Sequence, residues 1–212
     1  MLKKFLLLSS ALVLAAAPFA MADTIGTVAT FSLTADGCSG GCGAGPFGTI
    51  TLTQSATGVV TVKETLASGV AFVATGAGES IEFNLSGNPA ITIGNITSGF
   101  ASTGAATAST FGSFDYSLSC SGLSCGPGAS KTNPGPLSFT VTNGAGVNVS
   151  DFIANSDGYF FTSDVIGVTG NTGNVGAKGG TVTPPAVPEP SSLLLFGTGI
   201  MGVAGLIRRK LF

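Results

Sequence analysis

Through the middle of the chain, apolar and polar residues alternate with a period of two. Thr49-Ile50-Thr51-Leu52-Thr53, Ser80-Ile81-Glu82-Phe83-Asn84-Leu85, Ala90-Ile91-Thr92-Ile93 and Leu137-Ser138-Phe139-Thr140-Val141-Thr142 each send apolar side chains one way and polar ones the other. That is the pattern of half-buried antiparallel strands. Further strands are predicted at Gly26 to Leu33, Val59 to Leu66, Val70 to Ala74, Phe111 to Leu118, Phe152 to Ala154 and Tyr159 to Val165. Clusters of Gly, Asn and Ser separate them, and no stretch of the body shows an apolar face at helical spacing. The expected fold is therefore all-β, an antiparallel β-sandwich or jelly-roll-like body. Its core should come from Phe31, Leu33, Ile50, Leu52, Val60, Val62, Phe72, Ile81, Phe83, Leu85, Ile91, Ile93, Phe139, Val141, Phe152, Phe160 and Phe161. The low-complexity stretches Ser98 to Ser109 and Gly170 to Gly180 are expected as long surface loops.

Two terminal segments depart from this pattern. Lys3 and Lys4 precede an apolar run from Phe5 to Ala17, and Ala20-Met21-Ala22 then presents small residues at the positions signal peptidase accepts. The run of 13 residues is short for a retained anchor, which needs roughly 17 or more. Residues 1–22 are thus expected to be a secretory signal peptide, with the body at 23–183.

At the other end, residues 184–190 form a proline-rich, extended spacer, and residues 191–212 hold an uncharged stretch from Leu193 to Ile207 followed by Arg208-Arg209-Lys210. As a helix those 15 residues would span about 22 Å of an apolar layer about 30 Å thick, so flanking residues must help cover it. This predicts a short single transmembrane helix. By the positive-inside rule the basic trio stays cytoplasmic, which puts the body across the membrane, as the signal peptide does.

Val187-Pro188-Glu189-Pro190-Ser191, then a glycine-bearing apolar helix, then Arg208-Arg209-Lys210 resembles the PEP-CTERM sorting signal of Gram-negative bacteria. The resemblance covers about the last 25 residues and is carried by the three-part order. It implies that an exosortase, a multi-pass enzyme of the inner membrane, recognises Pro188-Glu189-Pro190, removes the helix, and leaves the body at the cell surface or outside the cell. The competing reading is an uncut C-terminal tail anchor. Asp36-Gly37-Cys38, Gly45-Pro46-Phe47-Gly48, the stretch Phe72 to Leu85, and Pro136-Leu137-Ser138-Phe139 through Gly176 also resemble the bodies of exported proteins bearing this tail, which implies a recurrent extracellular β-domain.

Charge narrows the partners. Between residues 23 and 183 nine acids (Asp23, Asp36, Glu64, Glu79, Glu82, Asp115, Asp151, Asp157, Asp164) face three lysines (Lys63, Lys131, Lys178), a net charge of −6. Such a body has no electrostatic attraction for nucleic acid. The chain contains no His and no Trp, which removes the commonest general base, the commonest zinc ligand and the indole that often stacks on sugars. No cofactor is called for.

Cys38 and Cys42 enclose Ser-Gly-Gly, and Cys120 and Cys125 enclose Ser-Gly-Leu-Ser. Behind a signal peptide an even cysteine count reads as disulfides. Four cysteines allow three connectivities, and the local pairs are favoured because glycine-containing loops bring near neighbours within reach. A zinc site is the alternative, without any His to support it. For acid–base chemistry only carboxylate pairs remain, Glu79 with Glu82 or Asp157 with Asp164. Glu79 and Glu82, three apart, point to opposite faces of a continuous strand, and their expected role is solubility and edge protection. Asp151, Asp157 and Asp164 are candidates for an irregular calcium site, although Ile153 at the first loop position rules out an EF-hand. Asn155-Ser156-Asp157-Gly158 reads more simply as a hairpin turn. Gly170 to Gly180 with Lys178 lacks the Gly-Lys-Ser/Thr of a phosphate loop. Tyr116 and Tyr159 are candidate sugar-stacking residues, with a strand-packing role as the plainer reading.

Together these readings predict a non-enzymatic exported protein with a structural or adhesive role. An extracellular carbohydrate-binding module, or a glycoside hydrolase with a carboxylate pair, are the alternatives. The expected partners are signal peptidase, an exosortase, the inner membrane in passing, and extracellular polysaccharide.

Overall fold

A computed structural model describes residues 24–120, 124–126 and 128–185. The signal peptide with Ala20 and Ala22, the motif Val187-Pro188-Glu189-Pro190-Ser191, the span Leu193 to Ile207 and the basic trio Arg208, Arg209 and Lys210 lie outside the described residues. Among those described, no helix is long and apolar enough to cross a membrane.

Among the described residues every regular element is a strand except one 3-10 turn, Val149–Asp151. In order they are β1 Val28–Leu33, β2 Ala35–Asp36, β3 Gly48–Ala56, β4 Val59–Leu66, β5 Ala71–Ala74 and β6 Ile81–Leu85. Next come β7 Thr92–Gly94, β8 Phe100–Ser102, β9 Ala106–Ala108, β10 Gly112–Phe114, β11 Tyr116–Cys120 and β12 Gly128–Asn133. The last are β13 Leu137–Thr142, β14 Phe152–Ile153, β15 Phe161–Ile166, β16 Thr172–Ala177 and β17 Gly180–Thr183. A first sheet runs β17-β1-β3-β4-β13-β7. A second, of nine strands, contains β12-β5-β15-β6-β11-β8, with β16 and β2 beyond β15 and β14 against β6. Every pairing is antiparallel.

The sheets face each other over one apolar core. Phe83 of the second sheet stacks on Phe139 of the first at 5.8 Å between ring centroids, and Phe161 meets Phe31 edge-on at 4.9 Å. Burying rings of this size is the largest stabilising contribution available to a chain without Trp. The expected core residues lie inside, except that Ile91, Ile93 and Phe160 pack against the core only partly buried. Phe47, Leu118, Leu137 and Val175 join it.

Alternation describes the first sheet well: β3 and β13 bury every second residue and leave the intervening threonines half-exposed. It fails for the second sheet, where every residue of β6 is buried on both faces. The cause is a cover. The segment 75–80 and the hairpin β9–β10, whose Ala108, Phe111 and Phe114 form a small separate cluster, lie over that sheet's outer side.

The glycine-rich stretch Gly170 to Gly180 is not a loop. Residues 172–177 form β16, buried after its first residue and paired along its whole length with β15. Its glycines serve close packing: a Cβ at Gly173 would come within 2.7 Å of the Cys38 Cα, and one at Gly176 within 2.9 Å of the Tyr159 ring. The stretch Ser98 to Ser109 likewise contributes β8 and β9. Glu82 is corrected as well. It sits on a central strand between β15 and β11, fully buried, so it protects no edge.

Candidate functional site

Two groups of side chains carry chemistry in the described body. The first lies on the outer face of the second sheet. Because Phe83 and Phe161 point into the core, their neighbours Glu82 and Thr162 point outward. Strand register places Ser117 and Thr162 directly opposite Glu82, and Asn174 directly opposite Asp164. All five residues are buried.

The segment 75–80 is tied to this layer by hydrogen bonds. The backbone N–H of Thr75 donates to Asp164 Oδ2 at 2.8 Å, and its hydroxyl donates to the same carboxyl group. Glu79 N–H donates to Glu82 Oε1 at 2.8 Å, and Asn174 Nδ2 to the Ala77 carbonyl at 2.7 Å. Thr162 completes the set by donating its hydroxyl to Glu82 Oε2 at 2.9 Å. Gly78 permits the close fit, since a Cβ there would stand 2.6 Å from Asn174 Oδ1 and 2.9 Å from Glu82 Oε1.

Burial dominates the electrostatics. It pushes the Glu82 carboxyl up to about 7, against the hydrogen bonds from Glu79 and Thr162, while the charges of Glu79 and Asp164 push the same way as burial. Asp164 is raised for the same leading reason, with Thr75 opposing and Glu79 assisting. Dry surroundings favour the uncharged acid, and neighbouring carboxylates reinforce that.

The second group lies between the sheets. Glu64 shares the inward face of β4 with Val60 and Val62, and the Ser163 hydroxyl, from the opposite sheet, donates to its Oε1 at 2.5 Å. Oε2 has no partner, and burial pushes this carboxyl up to about 8 despite Ser163. A neutral Glu64 thus bridges the two sheets.

The candidate residues are placed as follows. Cys38 is bonded to Cys42 and Cys120 to Cys125. Asp36 anchors the first loop, its carboxylate accepting from the backbone N–H groups of both Cys38 and Cys42. Among the described residues, Asp36, Cys38 and Cys42 are the grouping close enough to share a metal ion, and both of these cysteines are consumed by a disulfide.

The calcium candidates are not brought into such a group. Asp151 accepts from Asn148 N–H at the start of a single 3-10 turn, Asp157 is exposed in the 155–158 turn, and Asp164 is committed to Thr75. The pairing of Asp157 with Asp164 separates in the same way, one exposed and the other buried. Asn155 organises its turn, with Oδ1 accepting from Asp157 and Tyr159 N–H groups.

Neither tyrosine offers an open ring. Tyr116 is buried against Phe83 and donates to the Pro89 carbonyl, whereas Tyr159 is tilted on Phe111 with Lys178 Nζ 4.6 Å from its centroid.

Sequence reasoning missed Glu64, Ser163, Thr75 and Asn174. Glu64 had a usable signal, because it follows Val60 and Val62 on the inward phase. Ser163 had the same signal, lying between the inward-facing Phe161 and Val165, whereas Thr75 and Asn174 depend on a cover that no local pattern announces.

The path to the tail is simple. β17 is the edge strand of the first sheet, and Pro185 follows two residues after its end, lying beside Gly26 near the start of β1. Residues 186–210, immediately beyond, match the PEP-CTERM protein-sorting motif. That match supports export, transient anchoring through the tail and processing by an exosortase at the membrane. No curated protein and no solved structure matches the chain.

Proposed function

We propose that the body is a structural or adhesive component of the cell surface or extracellular matrix, delivered there by its C-terminal sorting motif and acting through surface contact rather than catalysis. The observation that carries this reading is the outer face of the first sheet. Strand register lines its residues into ranks: Thr181, Thr30, Thr51, Lys63 and Ser138 in one, Thr53, Thr61 and Thr140 in the next. Lys63 is the single charge among them.

A face of this kind offers hydroxyls for hydrogen bonding and methyl groups for apolar contact, at the even spacing of neighbouring strands. It suits an uncharged polymer such as a neutral polysaccharide, since the body's net negative charge disfavours acidic ones. A shallow depression of about 440 Å³ lined by Thr30, Ser32, Thr34, Lys178, Gly180 and Thr181 continues the same surface. The buried acids support the reading from the other side, because Glu64, Glu82 and Asp164 are engaged in holding the sheets and the cover.

The test is to replace Thr51, Thr53 and Thr140 with Glu in the full-length protein in its native host. The variant is expected to move from the cell and matrix fraction into the medium with its C-terminal processing unchanged. An unaltered distribution contradicts the assignment of this face, and release of reducing sugar from host polysaccharide by the purified protein contradicts the non-catalytic role.

A further inference from the structure

The last strand differs from its neighbours in a way that bears on how the tail is reached. All four residues of β17 are exposed, Val182 to 59%, whereas β16, three residues earlier, is buried for five residues in succession. Among the described residues β17 pairs only with β1, over Val28↔Thr183 to Phe31↔Gly180, and β1 keeps a longer six-residue pairing with β3 on its other side. The strand therefore hangs on backbone hydrogen bonds and on the packing of Gly180 against the Phe31 ring. Gly179, with open space around it, precedes it as a hinge. Removing β17 would leave β1 as a paired edge and uncover no large side chain of its own.

Distances make this looseness consequential. With β17 in place and Pro185 beside Gly26, Pro188 lies only three positions beyond Pro185. Even fully extended, at about 3.3–3.6 Å per residue, three positions cannot carry Pro188 more than about 11 Å from Pro185. The uncharged stretch begins at Leu193, three positions after Pro190, so an enzyme working at a membrane that holds this stretch has little chain to enclose between the bilayer and the body. Freeing the chain from Gly180 onward leaves eight residues to Pro188, about 26 Å at strand rise.

We propose that β17 is a releasable strap: its detachment from β1, hinged at Gly179, extends the peptide into the sorting enzyme, and re-pairing after cleavage returns the edge of the sheet. This rests on the reading that Pro188-Glu189-Pro190 is the recognised segment. The regulation lies in the folded body, because the fraction of time β17 is detached sets the rate of processing.

The test follows conversion of the full-length protein to its shortened form by pulse-chase in a host containing the sorting enzyme. Thr181 and Val182 are both replaced by Pro; adjacent strand residues send their N–H groups to opposite sides, so the pair removes the donor facing β1. Conversion is expected to become severalfold faster. In a second variant Thr30→Cys and Thr181→Cys, which stand directly opposite one another, staple the strands, with the bond verified by peptide mapping. Conversion is expected to slow severalfold and to recover when about six Gly/Ser residues, roughly 13 Å of average reach, are inserted after Thr183. A stapled protein processed at the parental rate, or one that the insertion does not rescue, overturns the proposal. Glu189→Ala is run alongside: its processing at the parental rate would instead remove the recognition reading beneath the proposal, a separate outcome.

Discussion

The outer faces of the two sheets use the same kinds of residue in opposite surroundings. On the first sheet Thr30, Thr51, Thr53, Thr61 and Thr140 are half-exposed, and water can satisfy their hydroxyls. On the second, Glu82, Thr162, Asp164 and Asn174 lie under the 75–80 segment and the β9–β10 hairpin, and Ser117 is met by Thr103 and Gly104; there a polar atom needs a protein partner. Nearly all have one, and the lone unpartnered atom among them is Asn174 Oδ1. The difference teaches that a polar residue on an outward strand position has no fixed role. The cover decides whether it is a contact surface or an internal fastening.

The comparison can be broken most forcefully with pH. Glu64, between the sheets, has its folded value near 8 against an ordinary 4.5. Below 4.5 the acid is neutral in both folded and unfolded chains, so its contribution is at its maximum. Between 4.5 and 8 the unfolded chain ionises while the folded one holds its proton, and stability falls. The loss levels off above pH 8 at on the order of 4 to 5 kcal/mol. Glu82 and Asp164 tilt the profile in the same direction. Urea unfolding at pH 5 and pH 8 should show this decline, and Glu64→Gln should flatten much of it; a parental slope in that variant would contradict the assignment to Glu64.

A smaller effect is expected from Asp164→Ala. It leaves the Thr75 N–H and hydroxyl without their acceptor under the cover, at a cost of about 3 kcal/mol in chemical unfolding. Earlier proteolysis within residues 75–80 should accompany it. Gly78→Ala forces a methyl group against Asn174 and Glu82 and should cost about 2 kcal/mol, measured the same way. At the other extreme, Thr51→Ala on the exposed face should change stability by less than about 0.5 kcal/mol. A cost for Thr51→Ala approaching that of Asp164→Ala would erase the contrast between the faces.

Much of the body was legible because a period of two leaves little choice. Val60-Thr61-Val62 and Leu137-Ser138-Phe139-Thr140 state both the strand and its orientation, and β4 and β13 follow them. The same rule predicted that Glu82 faces away from Ile81 and Phe83, which it does. It could not predict that the 75–80 segment would close over it and fasten to Asp164 and Asn174, since those contacts are long-range. β16 was hidden for a related reason. Its Gly173 and Gly176 are poor strand formers alone, and their value appears only when Cys38 and Tyr159 press against them. The sorting tail is the reverse case, local in sequence and readable without any fold.

The central claim is that this covered, disulfide-bonded body travels on a removable tail, and the mass of the mature protein's C-terminal peptide tests it most directly. Isolated from its native host, the chain should lack the residues after Pro190, and should keep them in a strain without the sorting enzyme. A mature protein that still ends at Phe212 in the intact strain would contradict the account.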